Sequence, residues 1–165
     1  MRLSAVAIAM AGLASVALAP PAQGQRPGNQ IAPKSAEFQR QGEALLAAGK
    51  FEQAEDALEA ALTIDPRNRW AFVDIARVAE RQHLFGKAVR MTSKALLLEP
   101  NDPDAIAVQG EAMVELGATA KAQANLQKLH TICTKGCPQL AQLSSAITRG
   151  RTVAAAKVPA TPKAD

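Results

Sequence analysis

Apolar and small residues recur along this chain at spacings of three and four, which is the period of an amphipathic helix face. Phe38, Gly42 and Leu45, with Gln41 beside them, mark a first helical stripe, and Ala54, Leu58, Ala61 and Leu62 a second. Gly49 and Lys50 stand between them as a turn. Pro66 ends the second stripe, because proline lacks the N–H and clashes with the preceding turn. The pattern then restarts. Asn68 is an N-cap for a helix carrying Phe72, Ile75, Ala76 and Ala79, and Phe85, Ala88, Val89 and Ala95 form its successor. Asp102 followed by Pro103 is a favoured opening for a fifth helix through Ile106, Gly110 and Met113. Ala122, Leu126 and Leu129 make the sixth.

The restarts have a fixed length. Ala54, Ala88 and Ala122 are 34 residues apart, as are Phe51 and Phe85, Pro66 and Pro100, and Ala61 and Ala95. Gly42, Ala76 and Gly110 form a small-residue register, and Gly49, His83 and Gly117 a turn register. Small residues at these phases let paired helices approach closely. A repeated hairpin cannot bury its apolar face alone, so such units stack. The last one needs a cap, which Pro138 to Arg149 supplies with Leu140, Leu143 and Ile147 on one face. Gly150 is expected to end it.

This pattern resembles the tetratricopeptide repeat family from Ser35 to about Cys133. The resemblance implies an all-α solenoid of helical hairpins, with three repeats at 35–68, 69–102 and 103–136 and a capping helix at 138–149. Three features depart from the family pattern. Thr119 replaces the expected phenylalanine, Thr134 the expected proline, and Gln41 and Gln109 a large aliphatic.

In the family, the first helix of each repeat lines a concave groove that binds protein or peptide. Carried over by phase, that groove holds Ala36, Gln39, Glu43, Leu46 and Ala47 in the first repeat. The second contributes Trp70, Val73, Arg77, Glu80 and Arg81, and the third Asp104, Ala107, Glu111, Val114 and Glu115. The asparagine and lysine set with which some members clamp a C-terminal carboxylate is absent. The partner-binding residues expected here are Trp70, Val73, Arg77, Arg81, Asp104, Ala107 and Glu111. Trp70 would act as an anchor, or else pack beneath the preceding helix with Phe72. Arg77 and Arg81 share a helix face beside it, which suits a peptide with acidic and apolar side chains. If they instead pair with Glu80, Glu111 or Glu115 at the surface, removing both should barely change stability.

Composition refines this picture. Aromatics are 3% of the chain and tyrosine is absent, which disfavours strands. The N-terminus carries Arg2, an uncharged run from Leu3 to Ala19 and small-residue cleavage patterns. It reads as a signal peptide, 1–24, leaving Gln25 first, with a retained anchor as the alternative. Such a chain is exported, and periplasmic in a Gram-negative cell. Residues 25–34 and 151–165 hold little to bury and are expected to be disordered. The formal net charge is +4, but Arg149, Arg151, Lys157 and Lys163 carry the excess, and Gln25 to Thr148 is balanced. That argues against a nucleic-acid surface.

Cys133 and Cys137 are the sharpest local feature. Two cysteines in an exported chain suggest a disulfide tying the last repeat to its cap, contributing ~2 kcal/mol. An exchanging redox pair is the alternative, although C-x-x-x-C is not the thioredoxin-like spacing. Adding His130 gives three potential metal ligands, short of a structural zinc set. No nucleophile elbow, phosphate loop or zinc-protease motif occurs, and the glutamates at Glu52, Glu55 and Glu59 read as a solvated face. The expectation is a non-enzymatic adaptor without cofactor. The competing reading is a redox-active or enzyme-associated subunit using the cysteine pair.

Overall fold

The computed structural model describes residues 30–157. The expected signal peptide, 1–24, and the ends of both expected disordered segments, 25–29 and 158–165, lie outside the described residues. Within them the chain forms seven helices and no strand: α1 Pro33–Ala47, α2 Phe51–Ile64, α3 Arg69–Arg81, α4 Phe85–Leu98, α5 Pro103–Glu115, α6 Thr119–Ile132 and α7 Pro138–Lys157.

Consecutive helices pair as hairpins α1/α2, α3/α4 and α5/α6, with α7 laid against α5 and α6. The odd-numbered helices also touch one another in series, α1 to α3 to α5 to α7, whereas α2, α4 and α6 do not. The stack is therefore tighter along its odd-numbered layer, and that layer is the concave side.

Local chemistry sets the joints. Asn68 accepts from the Ala71 N–H at 3.3 Å and Asp102 from the Ala105 N–H at 3.0 Å, so both expected N-caps form. Each cap is also held from the previous repeat. Asn68 Nδ2 donates to Ser35 Oγ at 2.9 Å, and Arg69 pairs with Asp102. Gly49, His83 and Gly117 all take positive φ, at 73°, 60° and 76°. The turn register is thus a left-handed backbone position, and His83 occupies it without glycine's freedom.

Two expected boundaries change. The linker over 25–34 gives way to helix at Pro33, whose fixed φ suits the first helical position. Ala32 is buried and its N–H donates to Asp65 Oδ2 at 2.9 Å, which ties this end down. At the other end α7 does not stop at Gly150 but continues to Lys157. A glycine inside a helix costs only about 1 kcal/mol, too little to break it unaided. Here a Cβ on Gly150 would stand 2.5 Å from Val114 Cγ1, so the glycine serves the close approach of α7 to α5.

Two of the departures from the repeat pattern, at Gln109 and Thr134, have local explanations. Gln109 is buried and bonded on both sides, donating to Ser93 Oγ at 3.1 Å and accepting from Asn125 Nδ2 at 3.2 Å. Where the first two repeats end on proline turns, 65–68 and 99–102, the third uses the longer segment 133–137. The Cys133 and Cys137 sulfurs stand there at disulfide distance, with Cα atoms 5.6 Å apart and Gly136 at φ 82° between them.

Candidate functional site

Along the concave side, α1, α3 and α5 enclose an open groove of about 520 Å³. Ala36, Gln39 and Glu43 form one wall, Trp70, Val73, Asp74 and Arg77 the floor and centre, and Asp104 the far side. Trp70 is 42% exposed. The Arg69 guanidinium lies 4.0 Å from its ring centre, and Arg69 is itself held by Asp102. The indole is therefore presented to solvent on a fixed support and does not pack beneath the preceding helix.

A chain of hydrogen bonds crosses the groove floor. Gln39 Nε2 donates to Asp74 Oδ2 at 2.5 Å. Arg77 donates to Asp74 Oδ1 at 2.9 Å and to Asp104 Oδ1 at 2.8 Å. Gln139 Nε2, from α7, donates to Asp104 Oδ1 at 3.1 Å. Four helices are thus coupled through two carboxylates and one guanidinium. Burial pushes the Asp74 carboxyl above its ordinary pKa, with the Gln39 bond and the Arg77 charge only partly offsetting it. Burial also opposes the Arg77 charge, but the two aspartates outweigh it and hold its pKa above the ordinary value.

A second recess, of about 260 Å³, opens where the C-terminal ends of α3 and α5 face α7. Glu80, Glu111 and Glu115 line it together with His83, Phe85, Ala146 and Arg149. Burial, reinforced by the charges of Glu111 and Glu115, pushes the Glu80 carboxyl up to about 8 despite Arg77. Burial raises Glu111 as well, against a Gln142 hydrogen bond and the charges of Arg149 and Arg77. One Glu111 oxygen, Oε1, is buried without a hydrogen-bond partner.

The Glu80 shift has a measurable consequence. Folded, the carboxyl keeps its proton up to about 8; unfolded, it releases it near its ordinary 4.5. Between those values the folded chain binds more protons, so this group's contribution to stability falls as pH rises. Glu80→Gln should therefore leave melting near wild type at pH 5 and raise it clearly at pH 8. An equal change at both pH values in thermal unfolding would contradict the burial described.

Of the expected groove residues, Trp70, Val73, Arg77 and Asp104 come together in the groove and Glu111 lies in the adjoining recess. Two do not join them. Ala107 is 1% exposed, in the core with Leu129 and Leu143, because α6 and α7 cover that side of α5. Arg81 is exposed and stands 5.9 Å over the Phe51 ring, beyond the groove lining. The alternative surface pairing of Arg77 takes other partners: its hydrogen bonds go to Asp74 and Asp104, not to Glu80, Glu111 or Glu115. Asp74, Gln139 and Arg149 were not anticipated. The i,i+3 pair Asp74–Arg77 is readable as a helix ion pair, whereas nothing local marks residues delivered by the capping helix.

Comparison with known proteins agrees with this geometry. A family profile described as tetratricopeptide repeat matches residues 45–111. No curated protein matches the chain. Among solved structures it is similar to the Sgt2 TPR domain from Aspergillus fumigatus, at TM-score 0.70 and 22% identity, covering 86% of this chain and 93% of that one. The first TPR of Spaghetti (RPAP3), bound to the HSP90 peptide SRMEEVD, is similar at TM-score 0.65 and 17% identity, covering 74% and 94%. PcrH, in complex with the chaperone binding region of PopD, is similar at TM-score 0.61 and 19% identity, covering 74% and 92%. Likeness at these identities concerns the fold.

Proposed function

We propose that this tetratricopeptide repeat chain is an exported protein-interaction module, an adaptor in an envelope-associated complex, that holds a peptide or protein segment in its concave groove. The carrying observation is the groove itself, open along the odd-numbered helices with Trp70 42% exposed in it. A large aromatic fixed on a support, in a concave surface, is the usual anchor of an interface. Solved neighbours of the same fold are described as bound to a peptide or a partner segment, which supports the same use here. Export is supported by the uncharged run from Leu3 to Ala19 and by a cysteine pair at disulfide distance.

The test separates the anchor from the scaffold. Trp70→Ala should leave melting close to wild type, because the ring is largely at the surface, while reducing recovery of the partner captured from the cell envelope. Unchanged recovery would move the binding surface elsewhere, and an intact Met1 in the mass of the same captured chain would show a retained anchor in place of a cleaved signal. Arg77→Ala is the contrasting variant. The near-neutral stability expected for a surface arginine does not hold here, since Asp74 is 2% exposed and would lose its cation. The loss should be about 1–3 kcal/mol in chemical denaturation.

A further inference from the structure

The concave side is acidic, and its central arginine is already committed. In the groove, Glu43, Asp74 and Asp104 stand with Arg77; in the adjoining recess, Glu80, Glu111 and Glu115 stand with Arg149. Arg77 stands between the two: it bonds Asp74 and Asp104, and its charge also acts on Glu80 and Glu111. Six acidic side chains thus line the two recesses against the guanidiniums of Arg77 and Arg149, with Arg69 held on Asp102 beside Trp70, on a chain whose residues 25–148 balance in charge overall. Buried Glu111 Oε1 lacks the donor that would satisfy it.

We infer that the groove takes a basic, apolar-interleaved segment of a partner protein, seating a Lys or Arg side chain among Glu80, Glu111 and Glu115 and an apolar side chain on Trp70. This rests on the groove reading above and names the chemistry of its ligand. It reverses the acidic peptide that the spacing of Arg77 and Arg81 suggested. Trp70 and Glu80 lie ten positions apart on α3, roughly 15 Å along the axis. An extended segment covers that in about four or five residues, which sets the distance between the apolar anchor and the basic side chain. A cation in the recess would relieve the crowding of like charges. Burial, reinforced by that crowding, now keeps Glu80 protonated to about 8. Binding therefore releases a proton, and affinity rises with pH between 6.5 and 8.5. The groups that face Glu80 and take part in this balance are Arg77, Glu111, Glu115 and Arg149, with His83 at the rim.

Trp70 is the sole tryptophan, so its emission reads the site directly in the full chain. Three synthetic nonapeptides, free of aromatic residues, would carry leucines alternating with Lys/Arg, with Glu, or with Gln. At 0.15 M salt and pH 8 the basic peptide should shift Trp70 emission saturably and bind about tenfold or more tighter than the other two. Its affinity should weaken at pH 6.5. The double change Glu80→Gln and Glu111→Gln should abolish the preference, while Glu52→Gln with Glu59→Gln, on exposed positions of α2, should retain it. Equal or tighter binding of the Glu or Gln peptide overturns the inference and leaves the groove reading standing. So does a preference that survives the double change. If none of the peptides shifts Trp70, the inference also falls, and the groove reading is then decided by the Trp70→Ala capture alone.

Discussion

Leu58→Ala is expected to destabilise the chain by about 4 kcal/mol, in the upper part of the usual range for such a truncation. Leu58 is completely buried on α2, in a cluster with Ala54 and Ala61 of its own helix and with Ala71, Ile75 and Val78 of α3. It fills the space that Gly42 leaves on α1, where a Cβ would lie 2.5 Å from Leu58 Cγ. The cost of a truncation depends on how far the site can collapse. Here Gly42 and several alanines bring the helix backbones close together around the site, so little of the backbone can move inward. Leu97, 84% exposed on α4, provides the control, and Leu97→Ala should change stability by less than about 0.5 kcal/mol. Urea unfolding of the two variants checks both statements. A loss below about 1 kcal/mol for Leu58→Ala would mean that the α1/α2 hairpin is not packed as described.

Gly110→Val should displace the last helix. A Cβ on Gly110 would stand 2.6 Å and 2.7 Å from the two Leu143 methyls and 3.2 Å from its Cγ. Leu143 is fully buried on α7 and packs with Ile106, Leu129 and Ile147, so its side chain has little room to give way. Overpacking of this kind costs about 1–3 kcal/mol and occasionally more. The whole of α7 would have to shift, and α7 also carries Gln139 and Arg149 to the concave side. The expected result is a lower melting temperature together with faster hydrogen exchange across α7, while α1 to α4 keep their protection. Leu143→Ala in the same chain should recover part of the loss, so that the double variant is more stable than the sum of the single effects. Strict additivity would show that the two residues do not touch.

Much of the fold was legible because its determinants are local and repeated. Asn68 and Asp102 cap helices through bonds to residues three positions on, and a 34-residue period reports one hairpin regardless of what surrounds it. The three-repeat solenoid with its cap follows from that. The helix ends were less legible. Gly150 signals a stop in isolation, but its backbone is held against Val114, and contact with another helix outweighs a weak propensity. Ala107 has the phase of a groove residue, yet it is buried because a helix further along the chain covers it.

The candidate site divides along the same line. Sequence by itself determined which helix faces line the groove, and so placed Trp70, Val73, Arg77 and Asp104 there, since helical phase depends only on counting. Tertiary structure alone decided the groove's electrical character. Asp104 is 27 residues from Arg77 and Gln139 is 35 from Asp104, and the bonds among them exist only because α3, α5 and α7 stack side by side. A charge's effect depends on what lies within a few ångströms and on how much water is excluded. Neither quantity is written in the spacing of residues along one helix, and so Arg77, which reads as basic in sequence, becomes in the folded protein a paired centre between Asp74 and Asp104.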